Sequence, residues 1–251
     1  MTEDAWPAGY QRRVLDQVDS TNAEALRLLG DVAGPTWIMA RTQTSARGRR
    51  GRAWAMPEGN FAATLLMHPD GPADQVALRS FVAALSLFDA LVAVTGRAES
   101  FALKWPNDVL LHGGKLAGIL LESAGSAGKA QHLMIGIGVN LRAAPDAEQV
   151  EQGALRPVSL LSEMGADVGP DEFFDHLARA FAHWEDRFVT YGFGPVRQAW
   201  LARAARLGEV ITARTGTSET TGIFETVDET GNLVLKTRDG RQAIPAADVF
   251  F

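Results

Sequence analysis

The chain has 251 residues, a net charge of −6 and 46% hydrophobic residues, which suits one large domain or one domain with a small companion. It has no cysteine, which excludes disulfides, thiolate metal sites, iron–sulfur clusters and a cysteine-linked covalent intermediate. The N-terminus is polar and acidic rather than signal-like, and no apolar run reaches the roughly 20 residues a membrane helix needs, so the chain reads as a soluble cytoplasmic protein.

Residues 14–18 predict a short strand. Ser20, Thr21 and Asn22 then form the turn into a helix over 23–29, which Gly30 stops. One of the three can serve as an N-cap. Together they set several hydroxyl and amide groups beside the free N–H groups of a helix start, a place that suits a polar ligand head. Residues 36–40 predict a second strand. It leads into a run that holds Arg41, Arg47, Arg49, Arg50 and Arg52, with Gly48 and Gly51 between them. Like charges this dense repel one another and resist ordering unless an anion pairs with them. Guanidinium forks grip phosphate or carboxylate, and the glycines let the backbone approach a ligand. The loop is therefore expected to be mobile without ligand and to order over an anionic small molecule.

Residues 61–67 predict an apolar strand. Residues 75–95 predict the clearest helix, with apolar residues at three- and four-residue spacing and Gly96 as its stop. Two short apolar runs then flank Lys104, Trp105, Pro106, Asn107 and Asp108. The turn at residues 112–114 joins the second run to a strand over 115–122, in which Gly118 marks a close approach of ligand or backbone. A buried strand within 131–141 ends at Asn140. Residues 143–157 read as a loop, 159–164 as a short helix, and 171–190 and 196–206 as helices. From Glu209 the texture changes to short alternating strands (210–214, 220–227, 233–237, 242–244) between turn signals, the pattern of a small antiparallel barrel. The expected division is 1–207 for the larger domain and 208–251 for the barrel.

Several pieces stand in a fixed order: Ser20-Thr21-Asn22; Gln43 ahead of Arg47-Gly48-Arg49-Arg50-Gly51-Arg52 and Trp54; Lys104-Trp105-Pro106-Asn107-Asp108; Lys115-Leu116-Ala117-Gly118; and Gly136-Ile137-Gly138-Val139-Asn140. Together they resemble the biotin–protein ligases, at motif level from about residue 14 to residue 140. The resemblance implies an α+β fold: a mixed β-sheet with flanking helices, like a class II aminoacyl-tRNA synthetase, plus a small C-terminal SH3-like barrel. It also implies two reactions. The biotin carboxylate attacks the α-phosphate of ATP to give biotinyl-5′-AMP, and a lysine of a biotin carboxyl carrier domain then takes the biotinyl group.

By the same resemblance Ser20, Thr21, Asn22, Gln43 and Gly118 contact the biotin head, and Arg47 lies in the loop over it. Arg49 and Lys115 stabilise charge at the carboxylate and α-phosphate, and Asp108 orients or deprotonates the incoming lysine. Arg52, Trp54, Lys104, Asn107 and Asn140 fall on the nucleotide side. Magnesium accompanies ATP with no protein ligand assigned, and a homodimer is left open. Where the family loop begins with glycine this chain has Ala46, which costs about 1 kcal/mol if that position needs positive φ. A lipoate–protein ligase is the alternative within the same adenylate chemistry. A DNA-reading regulator is not expected, because the segment ahead of residue 14 is too short for a helix-turn-helix. An arginine/glycine nucleic-acid module would ignore both ATP and biotin.

Overall fold

A computed structural model describes residues 5–69, 71–126, 129–146 and 155–251; the expected loop at 143–157 lies partly outside them, as do Met1 to Asp4 of the polar N-terminus. Strands β1 (Gln11–Val18), β2 (Thr36–Gln43), β3 (Phe61–Met67), β4 (Phe101–Lys104), β5 (Asp108–Leu111), β6 (Gly114–Ser126) and β7 (Lys129–Val139) form one sheet. Their order is β1-β2-β3-β7-β6-β5-β4. β1 and β2 run parallel, which requires a crossover, and helix α1 (Thr21–Arg27) provides it; every other neighbouring pair is antiparallel.

Alternation along β7 shows how the sheet is used. Leu133, Ile135, Ile137 and Val139 face one way into the main core, beneath helices α3 (Arg79–Thr95), α5 (Pro170–Tyr191) and α6 (Phe193–Leu201). Met134 faces the other way and joins Ala25, Leu28, Val32, Ile38 and Leu66 in a small cluster under α1. Gly136 and Gly138 share Met134's face. With no side chains there, this part of the sheet stays open to other groups.

The expected helix over 75–95 is two pieces, since α2 (Ala73–Ala77) breaks from α3 at Leu78. α3 ends at Gly96, whose φ of 70° is the left-handed conformation that stops a helix. By length and a mean hydropathy of 1.8 the stretch Ala73–Thr95 passes for a membrane span, against the sequence expectation, yet 72% of its most apolar window is buried in the protein. α4 (Leu160–Met164) starts at Ser159 with a reciprocal capping box to Ser162. The helix expected over 196–206 begins earlier and stops at Leu201. Beyond it the edge of β4 captures the chain: Leu103 N donates to Arg203 O and Ala205 N to Leu103 O, both at 2.8 Å.

The C-terminal strands β8 (Val210–Arg214), β9 (Glu219–Val227), β10 (Leu233–Thr237), β11 (Gly240–Ile244) and β12 (Asp248–Phe250) form an antiparallel sheet in the order β11-β10-β9-β8-β12. The expected small β unit is there, with β11 and β12 as the two ends of its ladder among the described residues. β12, which the sequence did not signal, returns beside β8. This sheet docks on the larger one. Trp105 Nε1 donates to Gly231 O at 3.1 Å, and a Cβ at Gly231 would meet Leu78 and Phe81 at about 3 Å.

One buried ion pair ties the start of α3 to α5. Arg79 Nη2 and Nε donate to Glu185 Oε1 at 2.7 and 2.9 Å, and both side chains are about nine-tenths buried. Removing one partner strands the other charge. Glu185→Leu alone should cost about 3–5 kcal/mol in urea unfolding, and the double change Arg79→Met/Glu185→Leu should recover most of it. Equal losses in the single and double variants would contradict this account.

Candidate active site

A cavity of about 560 Å³ opens over Gly136 and Gly138, between the large sheet, residues 46–55 and the C-terminal sheet. Its polar end is the start of α1. Ser20 is the N-cap, with extended backbone and no side-chain cap bond, while Thr21 and Asn22 already belong to the helix rather than to a turn. All three are buried. Gln43, at the end of β2, is placed by the parallel β1–β2 pairing, which sets it opposite Val18. Its Oε1 accepts from Thr21 N at 2.8 Å and lies 3.2 Å from Thr21 Oγ1. Thr64 Oγ1 sits 2.8 Å from Thr21 Oγ1 and 2.6 Å from Asn22 Oδ1, and Asn22 Nδ2 donates to Glu122 Oε2 at 2.7 Å.

The floor depends on three glycines. A Cβ at Gly136 would collide with the Asn22 amide, one at Gly138 would come 2.7 Å from Trp54 Nε1, and one at Gly118 would come 3.2 Å from the Trp54 ring. The close approach that Gly118 signalled is therefore made by Trp54. The indole lies across the floor in the middle of the cavity, with Lys115 Nζ 5.6 Å from its ring.

Beyond Trp54 the site becomes cationic. The β5–β6 hairpin turns on His112 and Gly113, at φ 48° and 81°, the positive-φ pair that suits the twist of two joined strands. This pairing sets Lys115 Nζ 2.8 Å from Asp108 Oδ1. In the β4–β5 pairing Lys104 stands opposite Asp108, with Nζ 4.0 Å from Oδ2. One carboxylate thus holds two ammonium groups together. Burial pushes the Lys104 ammonium below its ordinary pKa; Asp108 opposes that push and Lys115 adds to it. Asn107 Nδ2 donates to Ile119 O at 2.6 Å, which leaves its Oδ1 for Arg49. Asn140 lines the cavity, but its Nδ2 donates to Val158 O at 3.1 Å, so that donor is committed to a neighbouring segment.

The arginine run is a short hairpin. Trp54 N donates to Ala46 O at 3.0 Å and Gly48 N to Arg52 O at 2.7 Å. Ala46 is not among the residues with positive φ, so the alanine is tolerated there; Arg50 and Gly51 carry the left-handed turn instead, at φ 57° and 72°. Arg41 does not belong to the loop. It extends β2 and pairs with Asp171 at 2.9 Å. The loop is not left waiting for an external anion either, because the chain supplies one. Asp248 on β12 receives Arg50 at 2.6 Å, Arg52 at 3.1 Å and Arg49 at 3.7 Å. Arg49 also reaches Asn107 Oδ1 at 3.3 Å, and burial holds its guanidinium below the ordinary pKa, with Asp248 opposing.

Arg47, Arg49, Arg52, Lys104, Lys115 and Arg214 line the cavity against Asp108 and Asp248, so cations outnumber carboxylates six to two among the described lining residues. That balance selects anionic ligands. The structure brings every sequence-predicted site residue to this cavity. Sequence reasoning leaves Glu122 as a structural residue and gives no role to Asp248 or Thr64. Only the polar threonine inside an apolar strand left a signal. No group of three His, Asp or Glu side chains suited to a metal occurs among the described residues.

The chain matches the Biotin/lipoate A/B protein ligase family over residues 14–140 and the Biotin protein ligase C terminal domain over residues 207–251. It is 59% identical to a biotin–[acetyl-CoA-carboxylase] ligase of Paracoccus denitrificans, over 95% of this chain and 99% of that one. A biotin–[acetyl-CoA-carboxylase] ligase of Mycobacterium tuberculosis is 32% identical, over 95% and 88%. The solved structure of a biotin protein ligase from Aquifex aeolicus in complex with biotin and ATP superposes with a TM-score of 0.82 at 26% identity, covering 95% of this chain and 98% of that one. From both matched regions and the full-length relatives, the chain belongs to the biotin/lipoate A/B protein ligase family.

Proposed function

We propose that the chain is a biotin–protein ligase, which activates biotin with ATP and transfers it to a lysine of a biotin carboxyl carrier domain. The observation that carries this reading is a cavity with a polar pocket at one end, a flat glycine–tryptophan floor and a cationic cluster at the other. It suits a ligand with a compact hydrogen-bonding head, an apolar body and a carboxylate that must meet a polyphosphate. The 59% identical ligase from Paracoccus denitrificans favours biotin over lipoate.

In this reading Ser20, Thr21, Asn22 and Gln43 hold the biotin head, and Gly118 lets its body lie close to the sheet. Arg47 closes the loop over it. In the first step a carboxylate oxygen forms a bond to the α-phosphorus while the bond to pyrophosphate breaks. Lys115 and Arg49 offset the repulsion between the two anions and the charge that develops between them. Trp54, Lys104, Asn107, Arg52 and Asn140 take the nucleotide side. Magnesium enters with ATP, held by phosphate oxygens and water. In the second step the carrier amine attacks the acyl carbon, AMP leaves, and the amine loses a proton. Asp108, between two ammonium groups, is placed to orient a third.

Residues 1–207 would form the catalytic domain and 208–251 the small β domain that completes it through Asp248. The macromolecular partner is the carrier domain. Neither DNA nor a membrane takes part, a homodimer is left open, and a cytoplasmic setting supplies the ATP.

Incubating a carrier domain with the protein, biotin, ATP and magnesium should add one biotinyl mass to one lysine, read by mass spectrometry. Modification by lipoate and not by biotin would overturn the reading. Lys115→Ala should slow biotin-dependent pyrophosphate release by on the order of 10²–10³, as loss of one preorganised charge does, with an unchanged melting temperature. Arg49→Ala should shorten the half-life of the bound adenylate; equal half-lives in variant and parent would remove Arg49 from that role.

A further inference from the structure

Two polar side chains stand behind the polar end of the cavity without lining it. Thr64 is fully buried in the middle of the apolar strand β3. Glu122 is on β6, in the row that begins with Gly118 and Leu120, opposite Met134 of β7. Both reach the site only through Thr21 and Asn22.

The chemistry of each group fixes the direction of these bonds. A carboxylate only accepts, so the Asn22 atom 2.7 Å from Glu122 Oε2 must be the nitrogen. The Asn22 oxygen then points at Thr64, whose hydroxyl has one proton and gives it across 2.6 Å. Thr64 Oγ1 keeps its lone pairs for Thr21 Oγ1 at 2.8 Å. The Asn22 amide is wedged above Gly136, where even a methyl group would collide with it. Thr21 Oγ1 has a single proton with two acceptors in reach, Thr64 Oγ1 and, at 3.2 Å, Gln43 Oε1, whereas the Asn22 amide is held at both ends, so each remaining donor or acceptor on Asn22 has a fixed sign.

We propose that Glu122 and Thr64 are positioning residues that set the hydrogen-bonding polarity of the head-group pocket, so that it prefers a cyclic urea to a ring with the reversed donor pattern. The proposal rests on the biotin reading above. Glu122 does not bind the ligand. It denies Asn22 the flipped orientation in which the amide oxygen would stand where its nitrogen now stands. Thr64 holds the other end of the same amide.

Glu122→Gln keeps the shape and removes the directional demand, because either end of a glutamine amide can face Asn22. Thr64→Val keeps the shape and removes the hydroxyl. In each, the KM for biotin should rise about tenfold or more, as loss of a buried or charge-assisted hydrogen bond implies, with kcat and the KM for ATP unchanged. The preference for biotin over 2-iminobiotin, whose urea oxygen is replaced by NH, should fall in Glu122→Gln. Thr64→Ser, which restores a hydroxyl, should restore the KM. The proposal is overturned if both variants, folded by circular dichroism, keep the biotin KM within about twofold of the parent and the same biotin-to-iminobiotin ratio. It is also overturned if kcat and both KM values shift together, as general loosening would produce. If Glu122→Gln does not fold, Thr64→Val and Thr64→Ser decide. A parent protein with no biotin-dependent pyrophosphate release would instead refute the biotin–ligase reading.

Discussion

The structure depends on the two different faces of β7. From Leu133 to Val139 one face is apolar and builds the core with α3 and α5, so the strand cannot shift register without exposing Leu133, Ile135, Ile137 and Val139. The other face carries Gly136 and Gly138 and therefore presents bare backbone. Asn22 and Trp54 settle onto that backbone at distances no other residue type would allow. The same strand that stabilises the fold thus makes room for the site. A side chain at either glycine would displace Asn22 or Trp54 from the cavity, with little effect on the hydrophobic core behind it.

Electrostatics sets the second requirement. Six cationic side chains line one cavity in a chain whose net charge is −6. Charges of one sign at such distances repel strongly in a partly dry site. Two carboxylates make the arrangement stable. Asp108 is fixed between Lys104 and Lys115 by strand pairing, and Asp248 gathers Arg49, Arg50 and Arg52. The depressed pKa of Lys104 and of Arg49 marks the desolvation that remains after this pairing.

The sheet and its long helices were legible in the sequence because alternation and three-to-four spacing follow directly from burial, and Gly96 ended its helix where expected. The motif residues were legible as a set. Their partners were not. Glu122 and Thr64 meet Asn22 across 100 and 42 residues; nothing local distinguishes Glu122 from a surface glutamate, and the one trace of Thr64 is a polar residue inside an apolar strand. Asp248 was hidden for another reason: β12 has three residues, too few to show a period. The helix expected over 196–206 ended early because backbone groups of β4, distant in sequence, competed for its last turn.

Asp248 also changes how the arginine loop can work. In the sequence the loop was a set of unpaired charges awaiting an anion; in the structure the second sheet already provides a weak one. A single carboxylate shared by three guanidinium groups satisfies none of them bidentately, and the Arg49 contact at 3.7 Å is long. A polyphosphate offers more charge and more acceptor oxygens than one carboxylate, so under the proposed function exchange of Asp248 for the nucleotide would be favourable for the arginines that make it. In the proposed reaction the loop would then pass from one anion to another without a stage at which its charges are bare. The C-terminal sheet would be part of the site because it holds the loop before the ligand does.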